Sequence, residues 1–393
     1  MLPNQLLKEF HSIETPFYYY DIPLLEKTLS ELTKNAGQYG YKIHYALKAN
    51  VNDRVLKTVV KHGLGADCVS GNEIQKALGS GFMPRDIVFA GVGKTDKEIA
   101  LALQHKIFCF NIESLQELRV INDLAGRMGF RAPVALRINP NVHAHTHDYI
   151  TTGLEENKFG IQQELLPGLA ELLPSLENLR LVGLHFHIGS QVTDLSSYRN
   201  LCVRAGELLR WFRERNIVIE HVNMGGGLGV DYHDPDNNPV PPFSEYFAVF
   251  NRFMEIQPGQ RLHFELGRSV VAQCGSLISR VLYVKEGTRR TFLILDAGMT
   301  ELIRPALYQA FHKIENLTAS LERHSPPDHE YDVAGPVCES SDCFGKSVSL
   351  PSSERGDIIA VRSAGAYGEV MSSSYNLREK VRAVYTDELG KGK

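Results

Sequence analysis

The chain has 393 residues, 43% hydrophobic and 22% charged, an ordinary globular composition with length enough for a large barrel plus a smaller domain. A net charge of −4 speaks against nucleic acid or an acidic membrane surface as a partner. No apolar run reaches transmembrane length, and residues 1–5 lack the basic and apolar regions of a signal peptide, so the expected location is cytoplasmic.

In chain order, a strand-like stretch at 17–20 comes first and is expected to pair with the C-terminal sheet. Short β-rich runs then follow at 43–47, 65–69, 87–91, 107–111, 134–139, 181–188, 218–225 and 261–266. Segments between them, such as 52–61, 71–81, 114–126 and 195–213, repeat apolar residues at three- and four-residue steps, the period of an amphipathic helix. Eight strand–helix units in roughly 240 residues have the size of a (β/α)8 barrel. A doubly wound open sheet competes, but it opens on a glycine-rich turn, and here the first run ends in Lys48-Ala49-Asn50. After residue 266 the runs at 276–286, 291–296, 357–362 and 381–385 have no long helices between them. The expected fold is therefore α/β. A TIM-like barrel occupies 23–268, and a β-sheet domain combines 1–22 with 269–393. Residues 233–242 and 325–328 read as surface loops.

The six cysteines form no CxxC pair, so neither a zinc site nor a disulfide framework is expected. Cys68, Cys109, Cys202 and Cys274 lie in apolar surroundings and read as core thiols. Cys338 and Cys343 lie in a polar, glycine-containing stretch.

Unusual residues gather at the C-terminal ends of the predicted strands, the face on which barrels build active sites. Lys48 closes the first run, and an amine there suits a Schiff base to an aldehyde cofactor; its plain alternative is a strand reaching water. Asp67 follows near the end of the second run, and Arg137 lies late in the fifth. His185 and His187 share a face of the sixth. They suit a metal, a planar ring to stack on, or a hydrogen-bonded core. The tract His143-Ala144-His145-Thr146-His147 looks metal-like too, but its polar setting favours a loop. Gly225-Gly226-Gly227-Leu228-Gly229 suits either a phosphate cradle or a tight turn, and does not fit GxGxxG. Glu265 closes an apolar strand, where burial raises a carboxyl pKa unless a cation is near. That cation is a protonated pyridine nitrogen, or Arg268 or Arg137. Jointly, the amine, acid, imidazole, glycines, Ser190 and an arginine read as one pyridoxal phosphate site.

Tyr45-Ala46-Leu47-Lys48-Ala49-Asn50, Gly183-Leu184-His185-Phe186-His187-Ile188-Gly189-Ser190-Gln191 and Gly335-Pro336-Val337-Cys338-Glu339-Ser340-Ser341-Asp342 resemble the barrel-fold pyridoxal-phosphate decarboxylases. Within that family they are similar to the branch acting on diaminopimelate. Asn157-Lys158-Phe159-Gly160-Ile161, Arg304-Pro305-Ala306-Leu307-Tyr308 and Gly365-Ala366-Tyr367-Gly368 extend the likeness over nearly the whole chain. The resemblance implies pyridoxal 5′-phosphate as cofactor and decarboxylation of meso-2,6-diaminopimelate to L-lysine. It implies Lys48 as the Schiff-base lysine, Glu265 at the pyridine nitrogen, and His187 on the ring face. Asp67, Ser190, Gly227, Gly267, Arg268 and Tyr367 would complete the cofactor site. Arg268, Arg304, Tyr308, Glu339 and Tyr367 match substrate-binding positions. Cys338 matches the proton donor, supplied in this family by the partner of a homodimer. Two departures stand out: Leu266 where the family usually has proline, and Leu377-Arg378-Glu379-Lys380-Val381-Arg382 in place of an Arg-Pro-Arg-Pro-like tail. The alternatives are a related decarboxylase for carboxynorspermidine, ornithine or arginine, a non-catalytic homologue that binds partners, and a metal-dependent barrel hydrolase.

Overall fold

The computed structural model describes residues 4–142 and 158–389, and the histidine tract at 143–147 lies outside them. The chain divides into two compact units, the first of residues 28–229 and 241–270, the second of residues up to 27, 230–240 and those from 271 on.

The first unit is a closed parallel barrel of eight strands: β2 (Lys42–Ala46), β3 (Gly65–Cys68), β4 (Ile87–Phe89), β5 (Cys109–Ile112), β6 (Ala132–Arg137), β7 (Leu179–His185), β8 (His221–Asn223) and β9 (Arg261–Leu266). Pairing of Lys42 with His263 and Tyr45 with Leu266 closes the ring between β2 and β9. Leu266 thus stands inside a parallel ladder and is fully buried. The helices between the strands start and stop on local chemistry. Ser70 and Ser114 accept the N–H of Glu73 and Glu117 at their helix N-termini, and Thr95 forms a capping box with Glu98. The helix Leu115–Met128 turns Leu118, Ile121 and Ala125 inward, one face at helical spacing.

The second unit is built on an eight-stranded sheet. Its strands are β1 (Phe17–Tyr20), β10 (Gly275–Glu286), β11 (Thr291–Leu295), β12 (Ile314–Asn316), β13 (His329–Ala334), β14 (Cys343–Leu350), β15 (Ile358–Val361) and β16 (Ala383–Tyr385). The N-terminal strand β1 joins it, antiparallel to β10 (Phe17 opposite Ile278) and parallel to β16 (Tyr18 opposite Ala383). Phe10, Phe17, Tyr19, Ile278, Leu317, Ile358 and Val384 pack into one of its cores. The stretch 233–242 is more than a surface loop: Asp236 pairs with Lys313 at 3.1 Å and Arg362 at 3.0 Å. These bonds tie its first part to the sheet unit. β12, β13 and β14 extend the sheet beyond the strands expected from the sequence.

Candidate active site

The barrel carries its polar residues inward at the C-terminal ends of its strands. Alternation along a strand puts every second residue on one face, so Glu265 on β9, Asn223 on β8, His185 on β7 and Asn111 on β5 converge. Glu265 is buried, and its Oε1 accepts from Asn111 Nδ2 at 3.0 Å and Asn223 Nδ2 at 2.6 Å. His185 Nε2 lies 2.9 Å from Oε2. Burial alone would raise this carboxyl, but the charge and hydrogen bond of His185 outweigh it and hold the group below the ordinary range. The side chain paired with Glu265 from within the barrel is thus His185. Arg137 pairs instead with Glu113 at 2.8 Å, and Arg268 donates to Ser190 Oγ at 2.9 Å.

Around this carboxylate stand the other residues of the rim. Lys48 lies just past β2 in a 3-10 turn, exposed between buried Leu47 and Ala49. Asp67 on β3 is buried, and its Oδ1 has no hydrogen-bond partner. Burial, added to the charge of Glu265 and opposed by that of Lys48, pushes Asp67 well above the usual carboxyl range. His187 lies one residue past Phe186 beyond β7, half-buried, and its Nδ1 accepts the N–H of Gly226 at 3.3 Å. Burial and the charges of Lys48 and Arg137 hold its imidazole well below its usual pKa, so the ring is neutral. The pair His185 and His187 is therefore split between two tasks. Among the described residues no group of three or more His, Cys, Asp or Glu is placed to hold a metal ion.

The glycine turn fits this rim by size. Gly227 has φ +105°, and a Cβ there would stand 2.5 Å from the Gly189 carbonyl oxygen and 3.1 Å from Tyr198 Oη. Gly267 packs where a Cβ would meet those of Ala49 and Ala46 at 3.0 and 3.1 Å. Gly227 thus abuts Gly189, the neighbour of Ser190, to which Arg268 donates, and a hydroxyl and a guanidinium beside a glycine turn suit a phosphate. The rim suits a planar phosphorylated pyridine. It offers an exposed amine, an ionised acceptor, a neutral ring, a glycine turn near Ser190 and Arg268, and two buried polar atoms without partners among the described residues, Asp67 Oδ1 and His185 Nδ1.

The remaining candidates stand in the sheet unit. Arg304 opens the short helix Arg304–Tyr308 and is buried. Its Nη1 donates to Tyr232 Oη at 3.0 Å and to His312 Nε2 at 2.8 Å. His312 in turn donates Nδ1–H to the Arg362 carbonyl at 2.8 Å, which fixes its tautomer. Tyr308 ends the same helix, half-buried. Cys338 and Glu339 lie exposed in the connection from β13 to β14. Asp342 shapes that connection by accepting the N–H groups of Val337 and Met299 at 2.7 and 2.6 Å. Glu339 accepts from Tyr375 Oη at 2.7 Å, and the Cys338 N–H donates to Asn376 Oδ1 at 3.2 Å. Tyr367 follows β15 with φ +57°. As expected, Cys68, Cys109, Cys202 and Cys274 are buried thiols, whereas Cys338 is exposed.

Asn111 and Asn223 escaped the sequence reading. Each is a polar side chain near the end of a β-rich run, the same signal that singled out Glu265.

Comparison with known proteins agrees with this geometry. The family profile described as pyridoxal-dependent decarboxylase, pyridoxal binding domain, matches residues 24–272. The diaminopimelate decarboxylase of Bacteroides thetaiotaomicron is 53% identical over 384 residues, which cover 98% of each chain. That of Vibrio cholerae is 44% identical over 95% of this chain and 88% of its own. A crystal structure of diaminopimelate decarboxylase from Helicobacter pylori complexed with L-lysine superposes with a TM-score of 0.88 at 39% identity, covering 97% of this chain and 94% of that one. With a barrel rim of this chemistry and relatives of this closeness along its whole length, the chain belongs to the diaminopimelate decarboxylase family of pyridoxal-dependent decarboxylases.

Proposed function

We propose that the protein removes CO2 from the D-centre of meso-2,6-diaminopimelate to leave L-lysine, the last step of lysine biosynthesis. The observation that carries this reading is Glu265, an anion held by three donors on the same barrel rim as Lys48. The names of the full-length relatives support the substrate. Held at this rim, the protonated ring of pyridoxal 5′-phosphate serves as an electron sink for the pair left at Cα when CO2 departs.

The protein's own residues do the rest. Lys48 would hold the cofactor through its amine, as the group suited to a Schiff base with the aldehyde, with release of water. Glu265 would accept a hydrogen bond from the ring nitrogen, and the neutral imidazole of His187 would face the ring. Asp67 and Tyr367 would complete the cofactor's surroundings, while Ser190, Gly227, Gly267 and Arg268 would hold the phosphate. Arg304, Arg268 and Tyr308 bind the distal carboxylate, for which a guanidinium is suited by bidentate pairing, and Glu339 binds the distal ammonium. Cys338 of the partner subunit gives its thiol proton to Cα. The working assembly is accordingly a homodimer with shared sites, placed in the cytoplasm. The working division of labour keeps the cofactor on the barrel, 23–268, and sets 1–22 with 269–393 as the second domain.

The test is CO2 release with added pyridoxal phosphate from diaminopimelate, ornithine, arginine and carboxynorspermidine. Diaminopimelate should be the preferred substrate, with one L-lysine formed per CO2. Preference for ornithine would sink the proposal. A diamine-forming decarboxylase has no distal carboxylate to bind, so Arg304 argues for diaminopimelate.

A further inference from the structure

A carboxylate offers about four acceptor positions, two on each oxygen. Glu265 has three of them filled from within the barrel. Asn111 and Asn223 both donate to Oε1, which is thereby complete. His185 Nε2 takes one position on Oε2. One place remains, the second position of Oε2, and any proton on this carboxyl must sit there. A ligand N–H seeking Glu265 needs the same place.

His185 is the donor of the three that shares this oxygen. The side chain ends β7, is 1% exposed, and leaves its Nδ1 without a hydrogen-bond partner. A buried polar atom without a partner is unfavourable, so packing alone does not account for an imidazole here. An apolar residue of similar size would avoid that cost, but would provide no donor to Oε2. Asp67, Cys109, His44 and His187 also feel the charge of Glu265, from β3, β5, β2 and the chain beyond β7. None of these is a hydrogen-bond partner of Oε2 in the structure.

We propose that His185 is a positioning residue for the cofactor's ring nitrogen: by donating Nε2–H to Oε2 it keeps Glu265 an anion with a single acceptor place left for that nitrogen. This rests on Glu265 being the partner of the ring nitrogen. Without the imidazole, the proton moves onto Oε2. Glu265 then becomes a donor and meets an unprotonated ring nitrogen. The electron sink weakens although Glu265 itself is intact.

The test is the 15N chemical shift of the ring nitrogen, followed against pH in holoenzyme reconstituted with 15N-labelled pyridoxal phosphate. In the unmodified enzyme the nitrogen should be protonated through neutral pH. E265Q should abolish that state; a protonated nitrogen in E265Q would refute the role given to Glu265. H185L should lower the nitrogen's pKa by about one to two units, the size of one charge-assisted hydrogen bond. H185Q, which retains a donor, should recover at least half of that loss. An unchanged pKa in H185L, with the effect of E265Q intact, overturns the role of His185 alone. Should H185L not fold, the [15N]histidine spectrum of the unmodified holoenzyme decides. Nε2 of His185 must carry the proton, and a bare Nε2 overturns the proposal.

Discussion

His44, His263 and His221 run as a chain of hydrogen bonds through the barrel. His44 Nδ1 lies 3.1 Å from the Asp86 carbonyl, which only accepts, so that nitrogen carries the proton. His44 Nε2 therefore accepts from His263 Nδ1 at 2.9 Å, and His263 Nε2 accepts from His221 Nδ1 at 3.1 Å. Phe108 stacks on His263 with ring centroids 5.4 Å apart. Burial holds His44 down to about 4 and His263 to about 2, below the ordinary 6.5 of a histidine. Both are neutral in the folded and unfolded chain above that value. As pH falls below about 6.5, the unfolded chain takes protons that the folded barrel refuses, so stability falls as well. Each such histidine adds a slope of about 1.4 kcal/mol per pH unit. Urea unfolding between pH 6.5 and 4 should show this decline, and H44Q or H263Q should each flatten it by about one histidine's share. Variants with the slope of the unmodified protein would contradict the account.

At the scale of elements, legibility followed the contrast between apolar and polar positions. The barrel strands stood out because they are buried on both faces and read as short apolar runs, as with Arg261–Leu266, found at its full extent. Their ends did not, since pairing stops where the chain turns to build the rim: the run at 218–225 pairs only over His221–Asn223. β13 and β14 were missed for another reason. His329–Ala334 opens on two exposed polar residues, Cys343–Leu350 is largely exposed or half-buried with few apolar residues, and their register shifts between Tyr331 and Ala334. The same contrast decided the site. Glu265 was conspicuous at the end of Leu262-His263-Phe264, and Lys48 at the end of its own run. Asn111 and Asn223 were not, because a neutral amide at a strand end looks like the start of a loop. That His185 serves Glu265 while His187 faces the neighbouring turn depends on the direction of the chain past β7, where the two-residue period ends with the strand.

At the scale of the whole molecule, the proposed chemistry draws on both units of the chain. Lys48, Asp67, His187, Ser190, Gly227, Glu265, Gly267 and Arg268 belong to the barrel unit. Arg304, Tyr308, Cys338, Glu339 and Tyr367 belong to the other. If Cys338 serves the partner's site, a chain lacking Lys48 and a chain lacking Cys338 are complementary. K48A and C338A, each inactive, should regain up to about a quarter of full activity when mixed and re-equilibrated, since half the dimers are mixed and one of their two sites is whole. No recovery, with mixed dimers demonstrated by mass, would place the proton donor within the same chain. The claim underlying the entire account is that the barrel rim is a cofactor site anchored at Lys48. Borohydride reduction of the holoenzyme, followed by peptide mass mapping, tests it most directly. The account predicts one pyridoxyl group per chain, on Lys48, and none in K48A. An adduct on another lysine such as Lys94, or no adduct in a folded protein given pyridoxal phosphate, would contradict it.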